Sequence, residues 1–332
     1  MHHEPLSILM SRAAFEEIGP GIGQRLGERP WRPVLLGECD EAARQAVNIA
    51  LITRDVTGRS TKFVVGDTLA ACYEVLRAST ALRWVHTHSA GADRPIYAEL
   101  RARGVAVSTS SGANAPIVAQ SAIAGILALT RRFPALARAQ REHRWAPLLA
   151  EAIPPDLEGQ CAVVVGWGPA GRRIAELLQV LGVRVKVVRH QAVSAGPDFP
   201  TVTYDGLRQT LHDAQWLVLV CPLSERTRGL VDARTLAALP RGAHLINVAR
   251  GEVIDEAALI DALRSGHLAG AHLDVFTREP LEPESPLWDL PNVILTPHSA
   301  GHSQGNAGRV CGIFLDNLQA WAQGRALRNA VQ

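Results

Sequence analysis

The apolar run at residues 162–165 leads directly into Gly166-Trp167-Gly168-Pro169-Ala170-Gly171, and a helical pattern follows at once. A strand that enters G-x-G-x-x-G and leaves as an amphipathic helix is the fingerprint of a dinucleotide-binding βαβ unit. The three glycines serve different ends. Gly166 allows the tight turn, Gly168 lets the backbone approach a pyrophosphate, and Gly171 lets helix and strand pack closely. The helix start, with Pro169 and Ala170, offers free N–H groups and the positive end of its dipole to phosphate oxygens. Ile174, Leu177, Leu178 and Leu181 recur at helical spacing, Gly182 ends the helix, and a second β run covers residues 183–188. Where such units bind a free ribose hydroxyl, a carboxylate stands about 20 residues beyond the first glycine. Arg189-His190 stands there instead, a pair suited to a 2′-phosphate. The expected cofactor is therefore NADP(H) in preference to NAD(H), without excluding the latter. Taken alone, Arg189 could equally be an exposed residue at a strand end.

At 332 residues the chain exceeds what one hydrophobic core usually supports, so two domains are expected. A net charge of only +2, with no block of like charges, argues against nucleic acid or a membrane surface as partner. The longest apolar stretch, residues 115–130, is interrupted by Pro116, Gln120 and Ser121 and is too short to span a bilayer. Residues 1–5 lead into a short strand-like stretch and not into a long apolar core, so no signal peptide is expected. Cys39, Cys72, Cys161, Cys221 and Cys311 are scattered and form no CxxC pair. That is the pattern of free thiols in a reducing cytosol, not of a disulfide frame or a metal site. Cys161 and Cys221 flank β-like runs and read as small core residues; the expected location is cytoplasmic, with no metal.

Residues 6–10, 33–36, 48–53, 82–86 and 105–108 read as strands, with helices between them at 69–76 and 96–102. A buried helix is expected over residues 116–132, and residues 133–155, rich in Arg, Trp and Pro, read as an arm or linker. Beyond residue 157 strands at 216–220, 243–248, 271–275 and 293–295 alternate with helices at 232–239 and 255–264, each helix opened by an Asp cap. The last helix, at 308–323, presents Val310, Ile313, Phe314, Leu318 and Trp321 on one face and is expected to return to the first domain. The fold class is thus α/β, with two Rossmann-like domains built on doubly wound parallel sheets. A smaller, discontinuous substrate domain takes residues 1–112 and 299–332, and the dinucleotide-binding domain takes 113–298.

Three motifs fall just past strand ends, where doubly wound folds place function: Asn247-Val248-Ala249-Arg250-Gly251, the run from Asp274 through Glu279 to Leu281, and Thr296-Pro297-His298-Ser299-Ala300-Gly301. They supply a cation, a carboxylate and an imidazole. Reducing a 2-keto acid by hydride transfer needs those parts. Arg250 can grip a substrate carboxylate and polarise the keto oxygen through its planar fork of donors. A protonated His298 can deliver a proton to that oxygen, and Glu279 would favour the imidazolium and fix its orientation. The plainer readings are a core histidine, a helix-start arginine and a surface-turn glutamate.

Together with Ser89-Ala90-Gly91-Ala92-Asp93, Asn114-Ala115 through Val118-Ala119, Cys221-Pro222-Leu223, Thr227-Arg228-Gly229 and the run from Arg278 to Trp288, these motifs resemble those of the D-2-hydroxyacid dehydrogenases. Within that family the chain is most similar to the NADPH-preferring glyoxylate/hydroxypyruvate reductases. The resemblance implies a catalytic trio of Arg250, Glu279 and His298, with Arg250 and the backbone of Ala90 and Gly91 holding the substrate carboxylate. It implies a cofactor site of Gly166, Gly168, Pro169, Ala170, Gly171, Arg189, His190, Cys221, Pro222, Thr227, Val248, Asp274, His298 and Gly301, with Asp274 holding the nicotinamide amide. It also implies a homodimer formed through the cofactor domain and domains that close over the ligand. Gln120 departs from the Glu common in the family, and Arg189 departs from the Asp of its NAD-using members. An NAD-linked phosphoglycerate dehydrogenase and a cofactor-sensing corepressor of the same fold stay open as alternatives. So do the roles of His86, His88 and Trp288.

Overall fold

The computed structural model describes residues 5–61 and 64–331, so residues 1–4, on which the signal-peptide expectation bears, lie outside the described residues. The chain divides into two compact units, one of Met1–Asn114 with Ser303–Gln332 and one of Ala115–His302.

The first unit is built on five parallel strands: β1 (Leu6–Met10), β2 (Trp31–Leu35), β3 (Ile49–Ile52), β4 (Trp84–Thr87) and β5 (Ala106–Thr109), in the order β2-β1-β3-β4-β5. β1, β3 and β4 are buried from end to end, so none shows an inward–outward alternation; the polar residues Ser7, His86 and Thr87 are buried with them. The helix Arg12–Leu26 follows β1 and is opened by Ser11, whose hydroxyl accepts the Ala14 amide at 3.1 Å. It packs beside the last helix, Asn306–Ala322, where a Cβ on Gly21 would lie only 3.1 Å from Leu315. Val310, Ile313, Phe314 and Leu318 of that last helix are buried, and Phe314 stacks on Trp84 with ring centroids 5.3 Å apart. His86 sits in the same core, bonded at Nδ1 to Ser108 Oγ (2.8 Å) and at Nε2 to Ser110 Oγ (2.9 Å). Burial, aided by His88, pushes its pKa down to about 3. It is a satisfied structural histidine.

The second unit carries seven parallel strands: β6 (Cys161–Val165), β7 (Arg184–Arg189), β8 (Thr201–Thr203), β9 (Trp216–Leu219), β10 (Ala243–Asn247), β11 (Leu268–Leu273) and β12 (Val293–Leu295). Their order is β12-β11-β10-β9-β6-β7-β8. The chain runs outward from β6 through β7 to β8, then crosses back to β9 on the other side of β6. The order therefore reverses between β6 and β9, and a ligand crevice is expected outside their carboxyl ends. Alternate residues of β6 serve opposite faces: Ala162 and Val164 pack with Ile174 and Leu178, whereas Val163 and Val165 pack with Leu236 and Leu259. All five cysteines are free, and among the described residues no helix is long and apolar enough to cross a membrane.

Two segments differ from the sequence expectation. Residues 133–155, read as an irregular arm, contain the helix Phe133–Arg141 and a 3₁₀ turn at Ala150–Ala152. Only Ala139 of that helix is buried, and its nine residues are shorter than the window over which helical periodicity is read. β8 also escaped the pattern, because a half-buried Thr-Val-Thr edge strand carries no apolar run.

The turn after β6 explains the glycine spacing. Gly166 has φ +116°, and a Cβ on Gly171 would lie 2.1 Å from the Gly166 carbonyl oxygen. Gly171→Ala is expected to destabilise the protein by about 1–3 kcal/mol through overpacking. Urea unfolding checks this: the midpoint should fall while the m-value holds.

Candidate active site

The helix Pro169–Val180 begins differently from its neighbours. Asp232 and Asp255 cap the helices Ala233–Ala237 and Glu256–Arg264 by accepting the amides of Thr235 and Ala258 at 2.7 and 3.1 Å. Gly168 occupies the cap position here and offers no side chain. Among the described residues no acceptor takes the amides of Ala170 and Gly171, and a Cβ built on Gly168 would meet nothing within 4 Å. Uncapped donors, a positive dipole end and open space fit a pyrophosphate well.

Two further loops border this cradle. Cys221-Pro222 follows β9; burial pushes the Cys221 thiol up to about 12, so it is an inert lining residue. Thr227 is fully buried, and its hydroxyl donates to the Pro222 carbonyl at 2.7 Å and accepts the Ser224 amide at 2.8 Å. It shapes the lining loop from within. Arg189 and His190 close β7; Arg189 makes one long bond, from Nη1 to the Val193 carbonyl at 3.4 Å, and His190 is exposed.

The three motifs past β10, β11 and β12 meet in the second unit. Asn247, buried at the end of β10, accepts the Ala249 amide on Oδ1 (3.0 Å) and donates from Nδ2 to the Arg250 carbonyl (3.1 Å). The turn is thereby fixed, with Arg250 half-buried and its Nη1 bonded to the Ala249 carbonyl at 2.7 Å. Gly251 is required next, because a Cβ there would lie 1.9 Å from the Phe276 carbonyl carbon. That close approach sets the Arg250 loop against the loop that carries Glu279.

His298 Nδ1 and Glu279 Oε2 are 2.8 Å apart. The other carboxylate oxygen of Glu279 accepts the Phe276 amide at 3.1 Å, so Glu279 is held at both ends. Burial alone would push this carboxyl up, but the hydrogen bond and charge of His298, the Phe276 amide and the Arg250 charge outweigh it and hold it below 4.5, its ordinary value. Glu279 is 15% exposed and His298 50%: the carboxylate is mostly covered and the imidazole faces out. With Nδ1 turned to Glu279, Nε2 is the nitrogen left to face a ligand.

His298 has φ +50°, a left-handed conformation that costs a non-glycine residue about 1 kcal/mol or more. Asp274 maintains it. Its backbone carbonyl accepts the His298 amide at 2.8 Å. Its carboxylate, 2% exposed, accepts the Thr296 hydroxyl (2.6 Å) and the amides of Ser299 (2.8 Å) and Ala300 (3.0 Å). Sequence reasoning gave Asp274 a ligand contact and missed this clamp, as it missed Asn247. Val248 and Gly301 flank the same loops, Val248 buried and Gly301 half-buried. In the first unit, Ala90 and Gly91 lie in the loop after β4, and among the described residues neither amide has an acceptor. His88 bonds Thr57 Oγ1 through Nε2 at 2.9 Å, and Trp288 is exposed, donating to the Glu282 carbonyl at 2.9 Å.

The profile of the D-isomer specific 2-hydroxyacid dehydrogenase NAD-binding domain matches residues 123–300. A glyoxylate reductase of Korarchaeum cryptofilum is 32% identical over 265 residues, covering 78% of this chain and 78% of its own. A D-3-phosphoglycerate dehydrogenase of Archaeoglobus fulgidus is 31% identical over 263 residues, 78% of this chain and 49% of its own. Among solved structures, a D-isomer specific 2-hydroxyacid dehydrogenase from Xanthobacter autotrophicus Py2 in complex with NADPH and MES superposes with TM-score 0.78 at 28% identity, covering 99% of this chain and 98% of that one.

A carboxyl whose folded pKa is depressed stabilises the fold above its unfolded pKa, and that stability is lost as pH falls through the folded value. Glu279→Gln is therefore expected to cost stability at neutral pH by an amount that shrinks below pH 4.5. Denaturant unfolding of both proteins from pH 7 to pH 3 measures it, with convergence on the acid side as the expected result.

Proposed function

The chain belongs to the D-isomer specific 2-hydroxyacid dehydrogenases, and we propose that it uses NADPH to reduce small 2-keto acids of the glyoxylate and hydroxypyruvate type. The observation that carries this reading is the 2.8 Å Glu279–His298 pair beside the Arg250 turn, in the same unit as the uncapped glycine cradle. A reduced nicotinamide, when bound, supplies the hydride to C2 of the keto acid.

This chain's residues do the rest. Arg250 neutralises the substrate carboxylate and polarises the keto oxygen with its fixed fork of donors. His298 carries a proton on Nε2 and delivers it to that oxygen; the charge left on Glu279 stabilises the imidazolium until the proton departs. In the reverse direction the same nitrogen accepts the proton from the hydroxyl. The free amides of Ala90 and Gly91 are the proposed backbone donors to the carboxylate. Asp274 Oδ2, which accepts only the Ala300 amide, at 3.0 Å, keeps capacity for the nicotinamide amide. Exposed Trp145, Leu149 and Ile153 support a homodimer formed through the second unit.

Arg189 in place of a carboxylate supports NADPH over NADH, and the relative crystallised with NADPH supports it further. The resemblance to a phosphoglycerate dehydrogenase favours a second reading, a keto acid with a phosphorylated tail.

NADPH and NADH consumption with glyoxylate, hydroxypyruvate, pyruvate and phosphohydroxypyruvate separates these readings. Turnover of the first two with NADPH is expected; activity confined to the phosphorylated acid would replace the assignment. His298→Ala should lower kcat by about 10²–10⁴, and an unaffected rate would remove His298 as proton donor. Arg189→Asp should shift coenzyme preference toward NADH by roughly ten- to a hundredfold, the worth of one charge-assisted hydrogen bond.

A further inference from the structure

A second guanidinium reaches the end of β7 from a different strand. Arg226 lies in the loop after β9, directly before the buried Thr227 that staples that loop to Pro222 and Ser224. Its Nη1 donates to His190 Nδ1 at 3.3 Å and its Nη2 to Asp205 Oδ2 at 3.2 Å. Its Cζ stands 5.7 Å from the centroid of the Tyr204 ring, which restricts the plane of the fork. An arginine has donors only, so His190 accepts on Nδ1. The second guanidinium thus touches the residue adjoining Arg189. Burial pushes the Tyr204 hydroxyl up to about 12, against the charges of Arg226 and Arg189.

We propose that Arg226 is a second cation for the 2′-phosphate of the coenzyme and a determinant of NADPH preference alongside Arg189. The proposal rests on the NADPH reading and extends it to a residue on a separate loop. Chemically the pair suits a dianion. Among the described residues the Arg189 side chain makes one long bond. The present partner of Arg226 is the carboxylate of Asp205, 84% exposed, and exposed ion pairs of this kind are weak and readily exchanged. A phosphate beside His190 offers more acceptor oxygens and more charge than that carboxylate, and a planar guanidinium binds it bidentately. Asp205 then acts as a counter-anion that holds the fork in place when no phosphate is present. It also disfavours the phosphate by like charge, so its removal should strengthen binding.

Calorimetric binding of 2′,5′-ADP and 5′-AMP to the whole protein tests this without turnover. The wild type should prefer 2′,5′-ADP. Arg226→Ala should weaken 2′,5′-ADP by about tenfold or more and leave 5′-AMP unchanged. The 5′-AMP value shows that the variant retains its cradle. Arg226→Lys should fall between the two, and Asp205→Asn should bind 2′,5′-ADP more tightly than the wild type. Steady-state KM should follow, rising for NADPH and not for NADH in Arg226→Ala. If the wild type keeps its preference and Arg226→Ala binds 2′,5′-ADP equally well, Arg226 has no such role. If the wild type itself binds the two nucleotides equally, the NADPH reading falls and takes this proposal with it.

Discussion

The arrangement of the proposed catalytic groups depends on one buried carboxylate. Asp274 stands at the carboxyl end of β11, and its side chain gathers the Thr296 hydroxyl and the amides of Ser299 and Ala300. Without such an acceptor, those amides would lie unpaired in a loop that must also hold His298 at φ +50°. An orphaned buried donor costs about 1–3 kcal/mol, so the three together outweigh the similar strain of one left-handed residue. The loop is therefore held in its strained form because the alternative is worse. On the other side of the loop after β11, the contact between Gly251 and Phe276 admits no side chain at all. Backbone contacts on each side of β11 thus register the arginine and histidine loops against one another. That is the rigid support a site needs if its reacting groups are to be placed within a fraction of an ångström.

Within that frame the charges are sorted by depth. Glu279 is half-buried and bonded at both oxygens, whereas His298 is half exposed. A partly desolvated carboxylate is tolerated because each oxygen has a partner and a cation stands nearby. A half-exposed imidazole can exchange its proton with solvent between turnovers. The inverse arrangement would leave the acid free to rotate and the base walled in. Arg250 adds its charge from the neighbouring loop, so three ionisable groups share one small volume with the carboxylate held as anion.

What the sequence made legible follows the range of each interaction. The glycine turn, the Asp caps at Asp232 and Asp255 and the apolar strands are local or periodic features, and they stand where the pattern puts them. That the motifs carrying Arg250, Glu279 and His298 fall just past strand ends was legible, and the structure places them after β10, β11 and β12. The clamp at Asp274 was not, since its partners lie more than twenty residues away and two of them are backbone amides with no sequence signature. Arg226 was hidden for a similar reason: it reads as one arginine in a solvated loop until folding brings it to His190, 36 residues distant in the chain. The helix Phe133–Arg141 failed differently, because nine residues are too few for a helical period to stand out from the surrounding Arg- and Pro-rich segment.

The coenzyme side of the second unit divides its work in a comparable way. The glycine cradle presents only backbone, so it can recognise what every dinucleotide shares, the pyrophosphate. Discrimination needs side chains that meet the one group by which two coenzymes differ, and it is a difference of affinities, not an affinity. On the proposed reading Arg189 and Arg226 supply attraction at the rim, and Asp205, the exposed ion-pair partner of Arg226, supplies opposition. Two cations and one exposed anion carry net positive charge, so an unphosphorylated ribose would leave the cations without a new partner. On that reading coenzyme choice is set after β7 and β9 and the proposed chemistry after β10, β11 and β12, so that changes in one need not alter the residues of the other.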